Sequence, residues 1–538
     1  MINKKHTGSY YTPEFLSGFI MKYLAPYFSS KDHISILEPS VGDGSFVRAF
    51  NKTAFTNKNQ THSFTGIDKI KIELNKAKKA SKKLSKGNCT YIFNNIDFLE
   101  YQKNCTEKFS IIAGNPPYIK KQLLNDFQIK LCDEIHQSAK LSTASVKNIW
   151  SAFLVRSCQL LDDDGVLAFV LPAELLQVKF SQELRALLTL EFNRTEIFTF
   201  DDLLFDCKGQ DTVLLFGYKK HIAPGQYYSH IKKTEQLSTN DFILTQNSAL
   251  VNTETKWSHH LMSPDNLVFI KNLGKRLHSI NYYSESKPGI VTAANNFFIV
   301  NEQTEREYKL GEFTHPIIQK ALYVNGSVVF TNDDFAMLLA DGKQSKVLVI
   351  KDEDAGRLSG RVLEYLKLGE DQNLQDGHKC SRRKNWYVIP NIADAPEAFF
   401  FRRSHHYPKL IKNNAVMLVT DTAYKVNIKP NYNINSLIYS FYNSLSLTFA
   451  ELEGRYYGGG VLELTPSEFK SIPIPYISIA NHEFDIFAAQ FENKNEINDI
   501  LHRNDFRILN TALNLNNEEI ERIQRIYRSL INKRFRKN

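Results

Sequence analysis

Four consecutive residues, Asn115-Pro116-Pro117-Tyr118, combine groups suited to one kind of chemistry. They follow the apolar run Ile111-Ile112-Ala113-Gly114, which reads as a buried strand. Two prolines hold the backbone extended and remove two N–H donors, so carbonyl oxygens are displayed without competition. Asn115 adds a side-chain acceptor and Tyr118 a flat ring. Two acceptors facing a planar NH2 group take both of its N–H bonds, draw the nitrogen lone pair out of conjugation and leave it nucleophilic. A proline turn that merely closes a strand is the structural alternative. Three further places bear on the same site. In Leu37-Glu38-Pro39-Ser40-Val41-Gly42-Asp43-Gly44-Ser45-Phe46 an apolar strand ends in an acid and enters a helix through glycines, which let backbone approach a ligand. No G-x-x-x-x-G-K-[ST] occurs, so this is not a P-loop. Asp68 ends the next strand, where a carboxylate can accept from ribose hydroxyls. Asp97-Phe98, after Tyr91-Ile92-Phe93, sets an acceptor beside an apolar surface, which suits a purine. Either alone reads more readily as a turn residue than as a ligand; their order on consecutive strands shifts the balance toward a ligand site.

The elements that must position these residues alternate. Thr12-Pro13-Glu14 opens an apolar-periodic helix through Phe19, Ile20 and Tyr23. Residues 34–37, 63–67, 111–113, 166–171 and 212–216 are short apolar strands, with helical patterns between them. This predicts an α/β, doubly wound Rossmann-like sheet whose ligands bind at the carboxyl ends of the strands. From about residue 225 the period breaks down. We expect a catalytic domain over 1–224, a mixed, loop-rich α+β domain over 225–480 and a helical segment over 481–538. Ile520, Ile523, Ile526 and Leu530 mark the apolar face of the last helix.

The 538 residues are enough for about three domains, and the 42% apolar fraction excludes disorder. Six cysteines, none spaced C-x-x-C, argue against structural zinc or a disulfide framework. No apolar run approaches a membrane span, so a cytoplasmic protein is expected. The net charge of +9 permits a polyanionic partner without demanding one. The lysine-rich stretch from Lys69 to Lys86 reads first as a solvated helix face, with a nucleic-acid patch as the alternative.

Taken together, Asn115-Pro116-Pro117-Tyr118 and the acidic positions before it resemble the gamma class of S-adenosylmethionine-dependent DNA amino-methyltransferases, of the TaqI or Eco57I type. His6-Thr7-Gly8-Ser9-Tyr10-Tyr11-Thr12-Pro13 is similar to that class's extra N-terminal motif. Trp150 to Leu154, followed by Leu160 to Val166, resembles its next helix-turn-strand, and Leu204 to Thr212 a later motif. The resemblance implies that Thr12, Glu38, Pro39, Gly42, Gly44, Asp68, Asp97, Phe98, Asn115 and Phe153 bind S-adenosylmethionine, with Phe153 on the adenine. It also implies that Asn115, Pro116, Pro117, Tyr118 and Phe205 serve an adenine flipped out of duplex DNA, methylated at N6 without a metal. Two departures are Ser40-Val41-Gly42 at the start of the glycine loop and Lys69 in place of an apolar residue after Asp68. Residues 289–298, 381–387 and 457–464 with 466–469 are similar to stretches of the family's DNA-recognition domain. Arg382, Arg383, Lys384, Trp386, Arg455 and Tyr456 are therefore candidates for DNA contact. A monomer acting on double-stranded DNA, with any restriction endonuclease separate, is the expectation.

Four other readings stay open on the residues alone. Cytosine-N4 enzymes share the chemistry, although their motif more often begins with Ser. Protein-glutamine methyltransferases also present Asn-Pro-Pro-Tyr, but are much shorter. Pro264-Asp265 with Glu285-Ser286-Lys287 has a loose metal-nuclease spacing. A DNA-binding subunit without activity could keep the fold.

Overall fold

The computed structural model describes residues 11–53, 59–83, 88–101, 107–201, 204, 211–247, 256–257, 262–324, 326–392, 394–457 and 459–535. The chain divides into two compact units, Met1–Leu267 and Val268–Asn538.

In the first unit, nine strands form one sheet: β1 His33–Glu38, β2 Thr61–Ile67, β3 Cys89–Asn94, β4 Phe109–Gly114, β5 Leu161–Pro172, β6 Arg194–Phe200, β7 Thr212–Tyr218, β8 Gly225–Ile231 and β9 Thr245–Gln246. Their spatial order is β3-β2-β1-β4-β5-β7-β6-β8-β9. β1 to β5 are parallel, and β7 enters antiparallel between β5 and β6. The doubly wound class expected from the strand pattern is therefore present. Its central strands are apolar on both faces because both are covered. Ile36, Ile111, Val166, Ala168 and Val170 face helices α1 Glu14–Leu24, α2 Ser45–Lys52 and α3 Lys71–Lys83. The alternate residues Leu37, Ile112, Leu167, Phe169 and Leu171 face α5 Asp126–Ser138, α6 Trp150–Leu160 and α7 Gln182–Glu191, with the single turn α4 Phe98–Tyr101 beside them. No helix among the described residues is long and apolar enough to cross a membrane.

Three strands escape a periodicity reading. β6 carries Arg194 and Glu196, which form a buried ion pair 2.6 Å apart, with Tyr23 donating to the same carboxylate at 2.9 Å. Its polar side chains are satisfied inside the unit rather than by water, so the apolar alternation is absent. β8 pairs parallel with β6, and β9 antiparallel with β8, so the sheet continues past residue 225. The polar and aromatic sequence of β8 hides that continuation.

The second unit holds a five-stranded sheet ordered 284–288, 423–428, 398–401, 410–413, 329–330 and a four-stranded one ordered 299–300, 346–348, 314–318, 418–419. A small three-stranded sheet joins 403–404, 461–463 and 455–457. Helix α8 Gly360–Asp371 packs on the aromatic cluster of Phe297, Tyr365 and Trp386. Helix α9 Ser444–Glu453 is buried along its length, and α10 Asn481–Glu492, α11 Ile497–Leu513 and α12 Asn517–Phe535 follow. The apolar face read from the sequence, Ile520 to Leu530, is the buried face of α12.

Charge pairing anchors the end of α12. Arg534 and Glu451 are both fully buried and form two bonds, at 2.9 and 3.0 Å. The same guanidinium also donates to the carbonyls of His405, His406 and Gly460. Breaking such a pair leaves a buried charge without compensation. Arg534→Met should destabilise this unit by about 3–5 kcal/mol, seen as lost amide-exchange protection in α9 and α12; adding Glu451→Gln should recover part of it.

His136, fully buried on α5, lies 3.0 Å from both Ser145 Oγ and Ser151 Oγ. Burial pulls its pKa down to about 4. The unfolded chain takes up that proton near pH 6.5, so between the two values it binds more protons than the fold and stability falls with falling pH. This group should cost about 2 kcal/mol between pH 7.5 and pH 5. Exchange protection of α5 and α6 should fall over that window, and His136→Gln should flatten the dependence.

Candidate active site

The strand order reverses between β1 and β4, and the carboxyl ends of strands at such a reversal are where sheets of this class bind ligands. β1 ends in Glu38, only 2% exposed. Beyond Pro39 and Ser40 the chain turns through Gly42 (φ +50°) and Gly44 (φ +83°), left-handed conformations that favour glycine. Gly44 caps α2, and a Cβ there would lie 2.8 Å from the Cα of Ala77 on α3. The glycine therefore permits the loop to lie directly against that helix.

Asp68, at the end of β2, ties this loop down. Gly42 N–H donates to its Oδ2 at 2.9 Å and Ile70 N–H to its Oδ1 at 2.8 Å. Each oxygen keeps a further lone pair, so the carboxylate can still accept from a ligand while it shapes the loop. Burial raises its pKa, against the pull of those two backbone donors. Glu38 is pushed well above the usual carboxylate range, first by burial and then by the charges of Asp43 and Asp68. Its Oε2 is buried and accepts no hydrogen bond from the described residues. Arg48 engages Asp43 at 2.9 Å and does not bond Glu38. An acidic, incompletely satisfied pocket of this kind suits a ligand carrying N–H or O–H donors and positive charge.

Asp97 caps α4, accepting from Leu99 N–H at 3.1 Å and from Gln128 Nε2 at 3.2 Å. Phe98 and Phe153 are buried against one another, ring centroids 4.9 Å apart. Thr12 is buried just before α1.

Asn115 follows β4 directly, and its carbonyl accepts from Ser40 Oγ at 3.1 Å, which joins the glycine loop to the Asn-Pro-Pro-Tyr segment. Pro116 is buried, while Asn115, Pro117 and Tyr118 are half-buried. Tyr118 donates to the Val170 carbonyl of β5 at 3.0 Å, and its ring rests on the core beneath. The structure thus brings Glu38, Pro39, Gly42, Gly44 and Asp68 together around one loop, with Asn115 bonded to it. Phe205, and residues 6–10 of the N-terminal motif, lie outside the described residues.

Glu73 was not singled out by sequence, and Tyr11 only as a member of the N-terminal motif. The Tyr11 ring lies 3.8 Å from where a Gly42 Cβ would be. Lys76 donates to Tyr11 Oη at 3.3 Å and to Glu73 at 2.8 Å. Glu73 is buried although its neighbours form the solvated lysine face. An acid inside a lysine run was the available signal.

In the second unit, four of the six candidate DNA contacts are engaged internally. Arg383 donates to the carbonyls of Thr292 and Trp386 at 2.8 and 3.1 Å. Trp386 packs on Phe297 and Phe298. Arg455 pairs with Glu468 at 3.3 Å, and Tyr456 donates to the Glu451 carbonyl at 3.0 Å. Arg382 and Lys384 are exposed. Pro264 and Asp265 begin a helix, whereas Glu285 and Lys287 lie on a strand. Among the described residues, no group of His, Cys, Asp or Glu could hold a metal ion.

Residues 20–205 match the family model of the Eco57I restriction-modification methylase, and residues 254–509 that of the C-terminal domain of type II methyltransferase M.Eco57I. Type II methyltransferase M.AccI of Acinetobacter calcoaceticus is 23% identical over 415 residues, 73% of this chain and 71% of that one. M.BanIII of Aneurinibacillus aneurinilyticus is 25% identical over 261 residues, 44% of each chain. The match to RM.Eco57I of Escherichia coli, 26% identical, spans 21% of that protein. Among solved structures, the type IIL restriction-modification enzyme MmeI, in complex with DNA, superposes with a TM-score of 0.61 at 13% identity, over 97% of this chain and 76% of that one. The DrdV–DNA complex gives 0.51 at 12% identity, over 91% and 57%. These structural likenesses are likenesses of fold.

The glycine loop yields a paired expectation. Gly44→Ala should destabilise the loop by about 1–3 kcal/mol, through the left-handed φ and the collision with α3. Gly18→Ala, in the middle of α1 with nothing within 4 Å of its Cβ, should instead stabilise by about 0.5–1 kcal/mol. Amide exchange in α2 and α3 for the first, and in α1 for the second, reads both.

Proposed function

This chain belongs to the Eco57I-type restriction-modification methylases, a gamma-class-like methyltransferase family, and we propose that it methylates N6 of adenine at a specific site in duplex DNA, using S-adenosylmethionine. The observation that carries the reading is Asn115-Pro116-Pro117-Tyr118 at the end of β4, bonded through Ser40 to a glycine loop that starts at the buried, incompletely satisfied Glu38. The cofactor fits that donor set. Glu38 and Asp68 would accept from its N–H and O–H groups, their charge suits its cationic centres, and Gly42 and Gly44 let it approach the backbone. Bound there, it would supply an electrophilic methyl group carried on a sulfonium.

The chain's own residues handle the other reactant. N6 is engaged in the base pair, so the adenine must leave the duplex. Asn115 Oδ1 and the Pro116 carbonyl would accept from the amine, leaving its lone pair free to attack. Tyr118, anchored on β5 by its hydroxyl, would offer a stacking face; the family resemblance adds Phe205 as an aromatic for the same base. Cytosine-N4 methylation is the second reading, since the acceptors do not distinguish two exocyclic amines; Asn rather than Ser at position 115 favours adenine. The match of 254–509 to a type II methyltransferase C-terminal domain favours DNA over a protein glutamine. We read the chain as a cytoplasmic modification enzyme, with any cognate restriction endonuclease acting as a separate protein.

Methylation-aware sequencing of duplex DNA incubated with the protein and cofactor identifies base, atom and site together, and N4-methylcytosine or unmodified DNA would overturn the adenine reading. In single-turnover assays, Asn115→Ala should slow transfer on the order of 10²–10³-fold, the scale of losing one preorganised polar contact, while cofactor binding by calorimetry survives through Glu38, Asp68 and Asp97. Tyr118→Phe should keep most activity, and Tyr118→Ala should lose stacking worth about 1–3 kcal/mol.

A further inference from the structure

The three-stranded sheet of the second unit carries an unusual charge arrangement. Glu463 lies on its central strand, directly opposite Arg403 on one neighbour and Arg455 on the other. The carboxylate is 1% exposed, yet it binds two arginines: Arg403 Nε at 2.8 Å and a terminal nitrogen of Arg402. Those side chains are 65% and 41% exposed. Arg402 is fixed through its backbone, donating to the Thr422 carbonyl at 2.9 Å and accepting from Leu464 N–H at 3.0 Å. Arg455 pairs with a second buried acid, Glu468, at 3.3 Å. Two exposed guanidiniums thus stand over the buried Glu463, negative charge inward and positive charge outward, while Arg455, only 24% exposed, is held within the fold.

Stability explains this poorly. An ion pair with so exposed a partner contributes little, whereas burying a carboxylate is costly. What the pair achieves is orientation. Burial alone would raise the Glu463 pKa, but the Arg403 hydrogen bond and the charge of Arg402 carry it below the usual range, so it stays an anion. A carboxylate that grips Arg403 by its Nε edge holds a long, flexible side chain in one pose facing solvent. A guanidinium fork held in that way matches two adjacent acceptors, as on the N7 and O6 edge of guanine in the major groove.

We propose that Arg403, oriented by Glu463 with Arg402 beside it, reads guanine at one position of the DNA recognition sequence. This rests on the DNA-modification reading above. Adjacent phosphate oxygens offer the same fork, and the test separates the two sources. Wild type, Arg403→Gln, Arg403→Lys and Glu463→Gln are compared on a randomised duplex pool, by selection for binding and by methylation profile, with a thermal melt of each. Wild type should prefer guanine at one position by about tenfold to a hundredfold. Arg403→Gln and Arg403→Lys should each reduce that preference to within about threefold and leave other positions and cofactor affinity unchanged, because lysine keeps the charge but not the fork. Glu463→Gln should weaken the preference at the same position. A uniform affinity loss across all sequences, with the salt slope reduced by about one, would make Arg403 a phosphate contact and overturn the proposal. An unchanged profile with a lowered melting temperature would make the pair structural and overturn it too. Absence of any DNA methylation by wild type would sink the functional reading instead, while the binding selection still reports on Arg403.

Discussion

Parallel pairing of β1 with β4, where the order of the parallel strands reverses, is the constraint on which the site depends. Leu37 stands beside Ile112, so three residues on, Ser40 stands beside Asn115, and the two are hydrogen-bonded. A one-residue slip would turn every apolar side chain of either strand to the wrong face. The two-sided burial of Ile36 and Leu37, and of Ile111 and Ile112, therefore specifies the register that brings the glycine loop to the Asn-Pro-Pro-Tyr segment.

Buried charge sorts into two kinds across the molecule. Glu196 has Arg194 and two tyrosine hydroxyls, and Glu451 has both ends of the Arg534 fork. Asp505, which burial pushes up to about 6, accepts from Ser444 N–H and Oγ at 2.7 Å and from Gln524 at 3.0 Å. Such groups are satisfied within their own unit and serve its cohesion. Glu38 differs, because its buried Oε2 has no donor among the described residues and the charges of Asp43 and Asp68 add to burial in raising its pKa, with Arg48 opposing them. Free energy spent on burying such a group without a partner is characteristic of a ligand site.

Asp68 shows how one side chain serves both purposes. Its two backbone bonds tie the glycine loop to the start of α3, and each oxygen keeps a lone pair with which to accept from a ligand. Removing it would disturb the loop as well as any ligand contact, so cofactor affinity alone would not separate the roles. Glu463 is the counterpart in the second unit: a buried acid whose consequence is the pose of an exposed arginine.

Much of the first unit was legible in the sequence. Period-two burial on both faces leaves continuous apolar runs, and glycines, prolines and acids at the strand ends carry their own conformational signals, so the doubly wound class and the residues of the site follow from local pattern. The polar strands β6 and β8 were not legible, because Glu196 and Arg194 satisfy each other only once β7 lies between β5 and β6. Neither was the internal engagement of Arg383, Trp386, Arg455 and Tyr456, since an arginine beside an aromatic reads alike whether it meets a phosphate or a carbonyl of its own chain. Glu463 lies 60 residues from Arg403, and their contact exists only through the antiparallel pairing of two short strands. Local spacing determined which chemistry the chain can perform; pairing between distant segments decided which charges are spent inside the fold and which remain turned outward.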